Sequence, residues 1–102
     1  MDFDKLPYFA DPKTDNERLL NLQRDYRAGN DTALADMYEL LTVVAIRMLN
    51  ATKDAYHYTH DEREQKAHDA ATYVIEQYIK RPDFVRTDSG GITSYLRNRV
   101  IH

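Results

Sequence analysis

Residues 32–52 read TALADMYELLTVVAIRMLNAT, and this stretch decides the fold. Leu34, Met37, Leu41, Val44, Ala45 and Met48 recur at the roughly 3.6-residue period of an α-helix and form one apolar stripe. Leu40, Val43 and Ile46 widen the stripe well past an ordinary amphipathic face. A helix that is apolar around most of its girth is packed on several sides. The spacing predicts a central helix over residues 32–52, with other helices around it.

Upstream, Asp31-Thr32 reads as the cap that starts this helix, and Gly29 as the stop of the one before it. Leu19, Leu22 and Tyr26 fall at helical spacing behind a capping-box pattern, Thr14-Asp15-Asn16-Glu17, which predicts a first helix over 15–28. Residues 1–13 hold Pro7 and Pro12 with Phe3, Tyr8 and Phe9 and fit no helical period. They read as an extended arm, leaving 14–102 as the helical domain.

Downstream, 53–58 reads as a connection and Thr59-His60-Asp61-Glu62 as a second capping box. Ala67, Ala70, Ala71, Val74, Ile75 and Tyr78 then share one face of a third helix over 60–80, ended by Pro82. Residues 82–91 read as a loop. Ile92, Tyr95, Leu96 and Val100 mark a fourth helix that starts between Ser89 and Ile92 and meets no stop signal before His102. No stretch alternates like a strand, so the class is all-α: a small bundle of about four helices with an N-terminal arm.

The chain has 102 residues, room for one domain with a modest core. It has no Cys, which excludes disulfides and thiolate metal sites. No apolar run approaches the roughly 18 residues of a membrane span. The opening Met1-Asp2-Phe3-Asp4-Lys5 lacks a signal-peptide pattern, so the expected compartment is the cytosol.

Catalytic patterns are poor. Ser89 and Ser94 are the only serines, and neither follows a strand as a nucleophile elbow would. Asp61, Glu62, Glu64, Asp11 and Asp15 lie on polar faces or in the arm, where no apolar pocket would raise a carboxyl pKa. Asp88-Ser89-Gly90-Gly91 has neither the Lys nor the preceding strand of a P-loop. His60, Glu64 and His68 share a helix face at the spacing of a metal chelate, but a solvated, metal-free face is the better reading. No enzyme, cofactor or small-molecule substrate is expected.

Charge and aromatics point elsewhere. The net charge is −3, yet residues 81–102 carry four bases against two acids. Phe84 and Tyr95 are interleaved there with Arg81, Arg86, Arg97 and Arg99. Arg neutralises phosphates and an exposed ring stacks an unpaired base, the pairing a single-strand nucleic-acid site uses. Core packing of Phe84 and Tyr95 explains the same residues equally well. Tyr26, Tyr38 and Tyr78 fall on apolar stripes and read as core with the hydroxyl outward.

In this order of elements the chain resembles region 2 of bacterial sigma factors. Tyr26-Arg-Ala-Gly-Asn-Asp-Thr-Ala-Leu34 is similar to the family's opening, in which a Gly–Asp pair precedes an Ala and a Leu-, Tyr- and Val-rich helix. Ala67-His68-Asp69 with the apolar face after it resembles the family's Ala-Glu-Asp run. Phe84, then Gly91-Ile92-Thr-Ser-Tyr95-Leu96-Arg-Asn-Arg99, is similar to the loop Phe and the Gly-Ser-Phe…Trp-Leu segment. The likeness spans about residues 22–100. Thr72 stands where the family has Gln, His68 replaces Glu, and Tyr95 replaces Trp. No helix-turn-helix domain follows, which fits a stand-alone or C-terminally truncated sigma-like protein of phage or mobile-element origin.

The resemblance implies a transcription-initiation module with two partners, RNA polymerase core and melted promoter DNA. The polymerase face would be Glu62, Gln65, Asp69, Thr72 and Glu76, with Asp69 at its centre. The DNA face would be Phe84, Arg86, Tyr95, Arg97 and Arg99. A different class stays open: a small helical interaction protein, homodimeric or virion-associated, that packs the wide apolar helix against its mate.

Overall fold

The apolar stretch forms one helix in the middle of the structure. The computed structural model describes residues 12–51, 58–81 and 92–101. In chain order the helices are α1 (Pro12–Arg27), α2 (Thr32–Asn50), α3 (His60–Val74) and α4 (Thr93–Ile101), and a π-helical turn, Ile75–Ile79, continues α3. Among the described residues there is no strand, so the fold is an all-α bundle. No described helix is long and apolar enough to cross a membrane.

α1, α3 and α4 all pack against α2. Residues 41–46 are buried without a break, which only a helix covered on several sides can manage. Leu34, Leu40 and Met48, at the edges of the wide apolar girth, are only partly buried. Met37, Leu41 and Ala45 are fully buried, and Leu49, one turn past Ala45, joins them outside the expected stripe. α3 contributes Ala67, Ala70, Ala71 and Val74, each at most 2% exposed. Small side chains over two turns let the α2 and α3 backbones come close. Leu19 closes the core from α1, and Ile92, Leu96 and Val100 close it from the α4 side. Burial of each such aliphatic side chain contributes about 1.5–3 kcal/mol.

The α1–α2 corner explains two differences from the expected boundaries. Gly29 takes φ +103°, a left-handed conformation that favours glycine. Its N–H donates to the Tyr26 carbonyl and the Asn30 N–H to the Asp25 carbonyl, each at 3.0 Å, a Schellman closure of α1. The Asn30 side chain then accepts from the Thr32 N–H at 3.2 Å and the Thr32 hydroxyl at 2.6 Å. Asn30, not Asp31, supplies the cap, since Asp31 is already helical in backbone and makes no side-chain cap bond. At the other end α1 begins at Pro12, so Thr14 lies within the helix rather than at its cap, and residues 12 and 13 do not belong to an extended arm. Proline suits a first helical turn, where its missing N–H is not needed.

The remaining ends are held by side chains. Thr59 and Glu62 form the expected capping box, with bonds of 3.1 and 3.2 Å. α4 is capped from a distance: Asn16 Oδ1 on α1 accepts from the Thr93 N–H at 3.2 Å and the Thr93 hydroxyl at 3.0 Å. The expected start nearer Ser89 lies outside the described residues. Arg47 of α2 meets Asp15 of α1 at 3.8 Å, both largely screened from solvent.

Candidate partner and nucleic-acid interface

The outer side of α3 follows from its inner side. Ala67, Ala70, Ala71 and Val74 bury one face, so Glu62, Gln65, Asp69 and Thr72 share the opposite stripe; Glu76 follows them in the π turn, and all five are exposed. Gln65 Nε2 donates to Asp69 Oδ1 at 2.9 Å, one turn apart, which orients the carboxylate. Glu62, Gln65 and Asp69 also line an open groove of about 540 Å³ with Tyr58, Lys66, Ala70 and Arg99. Lys66 Nζ lies 5.1 Å from the Tyr58 ring centre. The stripe is therefore flanked by an aromatic ring and two cations, Tyr58, Lys66 and Arg99.

The π turn creates the second surface. Its signature bond runs from the Lys80 N–H to the Ile75 carbonyl, five residues back, at 3.1 Å. The turn buries Ile75 and Ile79 together and sets Tyr78 beside α4. Tyr78 and Tyr95 stack with centroids 4.0 Å apart and planes at 29°. Tyr95 lies on α4, as the spacing of Ile92, Tyr95, Leu96 and Val100 predicted, and is half-buried. Tyr73 meets Tyr78 edge-on at 6.4 Å. The Arg99 guanidinium lies 4.6 Å from the Tyr73 ring centre, and Arg81 lies 6.0 Å from that of Tyr78. Arg97 is exposed on α4. Phe84 and Arg86 lie outside the described residues.

Tyr73 and Tyr78 were not legible as one cluster. Five residues along a regular α-helix turn through about 140°, onto different faces. The π turn shortens that rotation and brings the two rings together. A π turn leaves no periodic mark in the sequence.

Along the His60–Glu64–His68 face the three side chains form a ladder. Glu64 stands between the imidazoles, 3.6 Å from His60 Nε2 and 3.7 Å from His68 Nε2. His68 Nδ1 lies 2.6 Å from the Tyr38 hydroxyl, and the two rings stack at 5.6 Å. Tyr38 thereby finds its polar partner on α3 instead of pointing to water. Among the described residues no group of three or more His, Asp or Glu side chains converges as a metal site.

No protein-family model matches the chain, and no curated protein and no solved structure is significantly similar to it.

Proposed function

We propose that the chain is a sigma region 2-like transcription-initiation module without catalytic activity. The α3 stripe docks on RNA polymerase core, and the tyrosine–arginine cluster beside it faces unpaired promoter DNA. The observation that carries this reading is the junction of the two surfaces at Arg99. That side chain lines the groove with Glu62, Gln65 and Asp69 and covers Tyr73 at the edge of the ring cluster. A partner seated on the stripe would bring its bound DNA beside the rings.

The physical logic is a division of labour. An exposed stripe with few apolar groups gains little from burial and recognises a basic surface by charge and hydrogen bonding. The rings offer stacking surface, and the arginines neutralise phosphate. With a net charge of −3, the chain alone holds DNA weakly, so promoter contact depends on the polymerase.

Asp69→Arg tests the reading. The side chain is exposed, so the fold is retained while the charge at the centre of the stripe is reversed. Tagged wild type retains bacterial polymerase core in a pull-down and Asp69→Arg loses it. Equal retention, or none by wild type, discards the proposal.

A further inference from the structure

The corner where α1 passes into α2 meets the end of the π turn in an open groove of about 450 Å³. Tyr26, Arg27, Asp31, Ile79, Lys80 and Arg81 line it. Arg27, Lys80 and Arg81 are all exposed, and Asp31 is the acid among the lining residues. Arg27 Nη2 donates to the Arg81 carbonyl at 2.8 Å. That bond fixes a guanidinium from α1 beside the stretch of backbone that carries the other two cations, 54 residues further along the chain.

The groove continues the ring cluster. Arg99 lies over Tyr73, Tyr73 meets Tyr78, Arg81 lies over Tyr78, and the Arg81 carbonyl is held by Arg27. The line runs from Arg99 on α4 over the two adjacent rings of Tyr73 and Tyr78 to the end of α1, where Arg81, Lys80 and Arg27 end it on three cations. A compact phosphorylated metabolite calls for cations converging on one enclosed point. Here the cations are strung along an open surface that leads into aromatic rings. Successive phosphates of an extended chain match that layout, with bases free to reach the rings.

We infer that the α1–α2 corner groove is a phosphodiester-binding site for single-stranded nucleic acid, with Arg27, Lys80 and Arg81 as its phosphate contacts. The choice of ligand rests on the transcription reading, and the site extends that reading to residues on α1 and just past the π turn. Asp31 opposes the phosphate and limits affinity. DNA and RNA share the phosphodiester, so both are bound at this corner.

The test uses the full chain, isotope-labelled, titrated at low salt with oligothymidylate and, in a second arm, oligouridylate. Amide signals of Arg27 to Thr32 and of Lys80 and Arg81 shift in both arms. Arg27→Ala with Lys80→Ala weakens binding roughly fivefold or more and flattens the log–log salt dependence by about 0.7 for each lost contact. Arg27→Lys with Lys80→Arg retains binding, and Asp31→Asn tightens it. Arg27 also holds the Arg81 carbonyl, so Lys80→Ala, which removes a side chain that makes no bond to the described residues, serves as the single variant. Shifts confined to Tyr95, Arg97 and Arg99, an unchanged salt slope in the double variant, or no binding in either arm would overturn the inference. Oligonucleotide binding at the corner by a chain that retains no polymerase would sink the transcription reading and leave this site standing.

Discussion

The two ends of the rod made by α3 and the π turn are built by opposite means. The front end is held within four residues, by the reciprocal bonds of Thr59 and Glu62. From there a regular helix carries Glu62, Gln65, Asp69 and Thr72 along one exposed line, and exposed Glu76 follows in the π turn. The back end is held by partners far away in sequence. Tyr78 rests on Tyr95 of α4, and the carbonyl of Arg81 is gripped by Arg27 of α1. A π turn has a rarer and less regular bonding pattern than an α-helix. Burial of Ile75 and Ile79 and the ring stack offset that penalty. A locally bonded end presents the surface its period dictates. An end bonded through the core presents whatever the core arranges.

α1, α3 and α4 all pack against α2, so the largest expected effect removes that common support. Leu41 is fully buried, and Leu41→Ala destabilises by about 2–5 kcal/mol, read from denaturant unfolding. Near-wild-type stability would mean that α2 is not central.

The next comparison sets a local cap against a tertiary one. Thr59→Ala removes the capping box of α3, and Asn16→Ala removes the cap that α1 supplies to α4. Each costs about 1 kcal/mol. They differ in where the loss is felt. Hydrogen exchange rises only at the start of α3 in the first variant, and throughout α4 in the second. Indistinguishable exchange patterns would erase the distinction between the two ends.

The smallest effect isolates the ring stack. A double-mutant cycle of Tyr78→Leu and Tyr95→Leu yields a coupling of about 0.5–1.5 kcal/mol beyond the loss of buried area. Strict additivity would show that the rings merely fill space.

The helices themselves were written in local chemistry. The apolar period of residues 32–52 placed α2, which ends two residues earlier at Asn50, Gly29 ended α1, and Thr59-His60-Asp61-Glu62 opened α3, because each signal acts over one or two turns. The exposed stripe followed too, since a helix that buries Ala67, Ala70, Ala71 and Val74 has its opposite face decided. Two near misses had a local cause that was simply misread: Asn30 outcompeted Asp31 as the cap, and Pro12 opened a helix two residues before Thr14. The Tyr73–Tyr78–Tyr95 cluster, the pairing of Tyr38 with His68, and the meeting of Arg27 with Arg81 belong to tertiary structure alone. Each depends on the angle at which two packed helices present their side chains. The π turn alters that angle in a way that no periodicity in the residues records, because it answers to the core beneath it rather than to its own neighbours.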